Sequence, residues 1–188
     1  MGGVTTIEIN RAPVMTLWAS VVAERLGHAR DEALTLGRAV AGMNAQSKAV
    51  HIGLREPSER GAKGEKGKRA KAKAGSVLLL GRSVPVVSTP QGLRTVSESG
   101  KPDSPEAVEK YLDGKFGDAL ADARAAMKKL AAAFPKAELA EKAYALYEAF
   151  RPKIPAGTRG WGAKGVLDLG ALAKLAPGKT ARRTRAPL

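Results

Sequence analysis

The sequence predicts a mainly helical α+β fold, and three observations support this prediction. Apolar residues recur at three- and four-residue spacing through the second half of the chain, as they do on the buried face of a helix. Short β-branched runs stand around a turn motif in the middle of the chain. With 44% hydrophobic residues among 188, the chain has enough apolar material for one core with appendages.

The N-terminal part is expected to contain a short strand and a helix pair. Residues 4–9 alternate enough in polarity for a strand, and Pro13 suits the first turn of the helix that follows. Gly27 ends that helix, and a second helix covers about 31–48, with two acids in its first turn. Small residues recur every four positions along the second helix and predict close packing against another element: Ala33, Gly37 and Ala41.

The middle of the chain is expected to form a small hairpin or sheet. Residues 50–54 suit a short strand, and 76–80 have the composition of a buried strand. Residues 84–88 and 93–96 flank a Pro-Gln-Gly turn and predict a hairpin. Because proline lacks the N–H that a ladder needs, Pro85 predicts an edge position for its strand.

The C-terminal half is expected to be helical. A serine N-cap followed by proline and glutamate begins a long helix over 104–134, along which the apolar spacing is sustained. Gly114 and Gly117 are expected to kink or split this helix. Residues 137–150 and 166–175 predict two further helices, the second of them short.

Positive charge is concentrated in two segments. The chain contains 32 Lys and Arg against 18 Asp and Glu, a formal net charge of +14. Residues 55–73 hold eight basic and three acidic side chains, and 174–188 hold five basic side chains and no acid. Too little apolar surface is available in either segment to offset the ordering of the backbone, which costs about 1 to 2 kcal/mol per residue.

This composition predicts four successive parts. Residues 1–54 supply the strand and the helix pair, and 55–75 form a basic flexible loop. Residues 76–176 supply the hairpin and the helical part of the same compact domain, and 177–188 form a basic disordered tail. The domain without its loop and tail is then nearly balanced in charge.

The predicted loop 55–75 and tail 177–188 are called the arms below. Flexible cationic segments of this kind neutralise phosphates of nucleic acid and release counterions, which gives an affinity that depends on salt and not on the nucleotide sequence. We therefore expect a non-enzymatic nucleic-acid-binding protein, acting on DNA more than RNA. Other interpretations remain: the basic runs only keep a loop solvated, or they bind the acidic partners of a protein-interaction or structural module. An enzyme with no recognisable motif is a third class, and attraction to an anionic membrane surface is a minor alternative. The expected contact residues in the arms are Lys63, Lys66, Lys68, Arg69, Lys71, Lys73, Lys179, Arg182, Arg183 and Arg185.

A second candidate for DNA contact lies at the boundary between the first two helices. Ala23, Gly27, Ala33 and Leu36 follow one another at a spacing that resembles a helix-turn-helix unit, over about 20 residues. The resemblance implies close helix crossing at the alanine, a turn at the glycine and a second helix whose outward face enters the major groove. On that face it implies three side chains for bases or phosphates: Arg30, Thr35 and Arg38.

Catalytic and cofactor signals are weak. The chain has no cysteine, and its imidazoles, His28 and His51, are expected to stand alone as loop or core residues. Residues 160–165, Gly-Trp-Gly-Ala-Lys-Gly, match a dinucleotide fingerprint in spelling but follow a Pro-rich loop instead of a strand, so a structural turn or a single phosphate contact is expected. We expect no cofactor, no metal, no membrane span and a cytoplasmic protein, associated with the nucleoid if it binds DNA.

The composition of the two basic segments predicts their dynamics. In free protein, amides of 61–75 and 177–188 should exchange fast with solvent, and trypsin should cut there first, leaving a core of roughly 150 residues. Hydrogen exchange followed by mass spectrometry measures both. Slow exchange across 61–75 in the absence of any ligand would contradict the prediction.

Overall fold

Helices supply most of the computed structural model, which describes residues 6–51, 75–96, 100–155, 157 and 163–177. The helices are α1 Arg11–Arg25, α2 Arg30–His51, α3 Pro105–Phe116, α4 Leu120–Ala132, α5 Lys136–Phe150 and α6 Leu169–Leu175. The strands are β1 Thr6–Asn10, β2 Gly75–Leu79, β3 Arg82–Thr89, β4 Gly92–Thr95 and β5 Lys164–Asp168. The mainly helical α+β fold predicted from the sequence is confirmed.

The central element is α1, whose residues 13–23 are all buried. Helices α2, α3, α4 and α5 and strand β1 pack around it, which explains why apolar residues occupy every side of this helix. Its polar side chains bond within the core: Thr16 Oγ1 donates to the Ala12 carbonyl at 2.9 Å, and Trp18 Nε1 donates to the Ala143 carbonyl of α5 at 2.8 Å. The core therefore depends on α1 being covered from several directions.

Helices α1 and α2 form a hairpin whose contact is closest at Gly37. The turn between them contains Gly27, which has a φ of +113° that favours glycine. A Cβ built on Gly37 would collide with the Thr16 carbonyl and stand 2.9 Å from the Ser20 amide nitrogen. The predicted ridge of small residues is thus confirmed, because a side chain at Gly37 would separate two backbones.

A three-stranded antiparallel sheet, in the order β2-β3-β4, packs against α2. The predicted hairpin is present, with its turn at Pro90 and Gln91. The edge position predicted from Pro85 is wrong, since β3 is the central strand. Strand β4 ends at Thr95, opposite Val86, so Pro85 stands where β3 pairs with β2 alone. The proline is accommodated because the sheet is two-stranded at that point.

Strands β1 and β5 form a separate two-stranded antiparallel sheet. The prediction of a helix over 166–175 is therefore wrong for residues 166–168, which belong to β5. Asp168 then begins α6 as its N-cap, with a carboxylate oxygen that accepts from the Gly170 amide at 2.9 Å. The strand predicted over 50–54 is also wrong where it is described, since α2 continues to His51.

The long helix predicted over 104–134 divides into α3 and α4, as its glycines indicated. Ser104 caps α3 by accepting from the Ala107 amide, and Gly117 ends it with a φ of +56°. A single 3₁₀ turn follows, and α4 begins at Leu120. The break changes the direction of the chain, so that both halves of the apolar stripe reach the core around α1.

The contact at Gly37 predicts a stability difference between two glycines of one helix. Gly37→Ala should lower the free energy of unfolding by about 1 to 3 kcal/mol, because the added methyl meets backbone that cannot rotate away. Gly42→Ala is the matched control, since a Cβ there meets nothing within 4 Å. It should raise stability by up to about 1 kcal/mol. Urea denaturation of both variants tests this, and equal stabilities would contradict the close contact.

Candidate nucleic-acid interface

Two of the predicted contact residues, Arg30 and Arg38, lie on α2 in the described part of the chain. The outward side of α2 is not bare, since α3 packs along it and the β3–β4 hairpin lies against its first turns. Both arginines contact α3. The helix pair with a glycine turn is present, and its use as a helix-turn-helix unit stays a prediction.

Arg30 belongs to a three-residue charge network. Its Nη2 lies 3.2 Å from Glu109 Oε1 on α3, and Arg124 of α4 holds the same carboxylate with two hydrogen bonds of 2.9 Å. The hydrogen bonds from Arg124, with the positive charges of both arginines, hold the pKa of Glu109 below its ordinary value against the effect of burial. Arg30 remains 62% exposed, so its guanidinium reaches solvent while Arg124 carries the structural contact.

Arg38 lies two turns farther along α2. Its guanidinium carbon stands 4.3 Å above the ring centre of Tyr111, a cation–π contact with α3. Burial raises the pKa of the Tyr111 hydroxyl, with the positive charge of Arg38 opposing that rise. The side chain is exposed apart from this contact, so Arg38 can meet a phosphate without leaving the ring.

Thr35 does not belong to this exposed face, so its predicted role is wrong. It is fully buried, and its hydroxyl donates to the Glu32 carbonyl at 3.1 Å. Thr95 of β4 lies against its backbone, with Oγ1 3.2 Å from the Thr35 carbonyl, and also bonds Asp103. The β3–β4 hairpin covers this side of α2 and leaves Thr35 no access to solvent.

The expectation that His28 stands alone is also wrong. Its Nδ1 lies 3.5 Å from Glu32 Oε2, four residues later on the helical turn. The other oxygen of Glu32 accepts from the Leu93 amide at 3.2 Å. The Glu32 carboxylate therefore links His28, in the turn after α1, to Leu93 of β4. The glutamate four residues after His28 is the feature of the sequence that could have predicted this contact.

Arg94 is the most buried cation of the described residues, at 6% exposure. Its Nη1 donates to the Leu93 carbonyl at 2.7 Å and its Nη2 to the Gln91 carbonyl at 3.2 Å, and Asp31 lies 3.9 Å away. The arginine lines an open cavity of about 450 Å³ beside the carboxylates of Asp103 and Glu106. Carboxylates outnumber the cation there, so this cavity does not favour an anion.

A second cavity, of about 560 Å³, lies between the β2–β3 turn, the end of α1 and α5. Its lining is mostly apolar and includes Leu78, which is 73% exposed, with Arg82 and Glu141 at its rim. It contains no group of convergent polar side chains of the kind that orients a small ligand.

The predicted contact residues of the arms, Lys63 to Lys73 and Lys179 to Arg185, lie outside the described residues. The described residues stop at His51, before the predicted loop, and resume at Gly75; α6 is the last described element before the predicted tail. Of the glycine-rich run at 160–165, only the last three residues are described, and Lys164 and Gly165 are the first two residues of β5.

Neither a metal centre nor a membrane helix is found in the described ranges. No three His, Asp or Glu side chains of 6–51, 75–96, 100–155, 157 and 163–177 are grouped so that they could hold a metal ion. None of the helices in those ranges is long and apolar enough to cross a membrane. No protein-family model, curated protein or solved structure matches the chain.

The pKa of Glu109 predicts a pH-dependent contribution to stability. A pKa lowered by folding means that the group stabilises the fold above its unfolded value of about 4.3, and that this contribution disappears as the pH falls through the folded value. Glu109→Gln should therefore cost about 1 to 2 kcal/mol at pH 7, the range of a charge-assisted pair that is partly exposed, and much less at low pH.

Urea denaturation at pH 7 and pH 3 measures the difference. Arg30→Gln is the control, and it should lose less stability because Arg30 is 62% exposed. A loss for Glu109→Gln that is the same at both pH values would show that its charge has no part in the contact.

Proposed function

We propose that the protein binds nucleic acid, DNA more than RNA, without catalysing a reaction, and that phosphate contacts supply most of its affinity. The contacts come from the lysines and arginines of the loop and the tail named above. Arg30 and Arg38 on α2 are proposed as additional contacts. A duplex offers a dense row of phosphates, so cations attached to one small domain can act on it together.

The observation that carries this proposal is the distribution of charge. The described residues contain 19 Lys and Arg against 14 Asp and Glu. The remaining residues contain 13 Lys and Arg against four acids. The net charge of +14 is therefore found mainly outside the described residues. Clusters of one sign attract a polyanion, whereas a surface that serves solubility intersperses both signs.

The ion pairs of the fold support the same proposal. Several acids of the described residues already contact lysines or arginines within the fold, among them Glu24, Glu109 and Glu138. Because these carboxylates are already paired with cations of the fold, they weaken the attraction of an external anion less than unpaired acids would.

The experiment that tests the proposal removes the two sets of cations separately. Deleting 177–188 takes away four cations, and replacing the six cations of 63–73 by glutamine takes away six. Each contacted phosphate adds roughly 0.9 to the slope of log K against log salt for duplex DNA. The tail deletion should therefore flatten the slope by at most about 3 to 4 units, and the loop variant should flatten it independently.

Fluorescence anisotropy with a labelled duplex at several salt concentrations gives these slopes, and circular dichroism confirms that both variants are folded. If both variants keep the affinity and the salt slope of the parent protein, the arms are solvated surface. A module that binds acidic protein partners would then be the better account.

A further inference from the structure

One end of the fold brings together cations from three separate parts of the chain. Strand β1 passes into α1 at Arg11, α5 ends at Phe150, and β5 begins at Lys164. Arg151 and Lys153 follow α5 directly. We define Arg11, Arg151, Lys153 and Lys164 as the terminal cluster.

The guanidinium of Arg11 lies against the backbone that follows Arg151. Arg11 Nε donates to the Pro152 carbonyl at 3.0 Å, which fixes its guanidinium beside the residue that follows Arg151. Burial lowers the pKa of Arg11, and the charge of Arg151 lowers it further, as expected for two like charges in proximity. Among the described residues, no carboxylate oxygen lies within 4 Å of either guanidinium.

The two lysines lie on the exposed face of the adjoining strands. Lys164 pairs with Asn10 across β1 and β5, and Lys153 forms an isolated bridge with Val166 on the other side of β5. Side chains two residues apart on a strand share a face, so Lys164 and Val166 point the same way. Lys153, Lys164 and Val166 are all exposed, Val166 to 54%. Both ammonium groups are thus free to meet a ligand beside one apolar side chain.

Two acids, Glu8 and Asp168, lie on the same face as the two lysines. Asp168 uses Oδ1 to accept from the amides of Gly170 and Ala171, so it is held at the start of α6. Glu8 lies opposite Val166, two inter-strand spacings from Lys153, which corresponds to roughly 10 Å, and diagonally from Lys164, at roughly 7 to 8 Å. Neither acid forms an ion pair with a cation of the terminal cluster among the described residues.

We propose that the terminal cluster is a phosphate-binding site on the folded part of the protein and contacts the phosphodiester backbone of nucleic acid. The inference rests on the proposed function and adds an ordered site to it. Guanidinium groups bind phosphate oxygens as bidentate donors, and the lysines supply point charges at the border of the site. Like charges held together without a carboxylate repel each other, so an anion placed between them relieves that repulsion.

The test compares two sets of three neutral substitutions in the full chain. The first set is Arg151→Gln, Lys153→Gln and Lys164→Gln, which leaves Arg11 and its bond to Pro152 in place. The matched control replaces three exposed cations elsewhere on the fold: Lys101→Gln, Lys110→Gln and Lys129→Gln. Both variants lose the same net charge, so a difference between them reports position.

Anisotropy titration with duplex DNA should show that the first variant loses affinity and that its salt slope falls by up to about 2 to 3 units, as expected for three phosphate contacts. The control should change the slope by less than about 1 unit. Glu8→Gln should strengthen binding, since it removes a carboxylate that lies on the same face as Lys153 and Lys164. Equal slopes and affinities for the first variant and the control would overturn the inference while leaving the proposed function intact.

Two further results would also overturn the inference, each for a different reason. If the unmodified protein does not bind duplex DNA even at low salt, the proposed function fails, and this site fails with it. If polyglutamate binds as tightly as DNA and the first variant loses both equally, the terminal cluster is a general anion surface that fits acidic proteins, and its assignment to phosphodiesters is overturned.

Discussion

The contact between α1 and α2 at Gly37 is the constraint on which the rest of the structure depends. Because this position lacks a side chain, the backbone of α2 approaches Thr16 and Ser20 of α1 directly. Helix α1 is then enclosed, with α3, α4 and α5 on its remaining sides. The hairpin strands occupy the side of α2 that faces away from α1, and the contacts of Arg30 and Arg38 with α3 follow from this arrangement.

The packing also determines which charged groups pair within the fold. Two carboxylates of the described residues lie at junctions between elements: Glu109 between α2, α3 and α4, and Glu32 between the turn after α1 and β4. The cations exceed the acids in number, and the excess collects at the loop, the tail and the terminal cluster. Neither cavity combines apolar walls with convergent polar groups, so the proposed function rests on surface charge instead of a pocket.

The sequence predicted those features that depend on neighbouring residues. The division of the helix over 104–134 follows from Gly117, and the close helix contact follows from the ridge around Gly37. The β5 segment was mistaken for helix because its identity depends on pairing with β1, more than 150 residues earlier. Thr35 was placed on an exposed face because its cover, the β3–β4 hairpin, lies about 60 residues away.

The terminal cluster likewise combines a feature that is local in the sequence with one that depends on the fold. The stretch between Glu148 and Asp168 contains four cations and no acid, and it lies outside the two basic segments that the sequence analysis identified. The addition of Arg11 was not visible in the sequence, because it depends on how α1 begins beside the end of α5. Its contact with the Pro152 carbonyl spans 141 positions of the chain, and such contacts follow from the packing of the core alone.

The central claim, that an excess of cations binds nucleic acid through phosphates, is tested most directly with the unmodified protein. The measurement is the dissociation constant for a duplex of arbitrary sequence at salt concentrations from about 50 to 200 mM. The account predicts that log K falls linearly with log salt, with a slope that corresponds to several phosphates and changes little between sequences. Affinity that is absent at low salt, or that does not respond to salt, would contradict it.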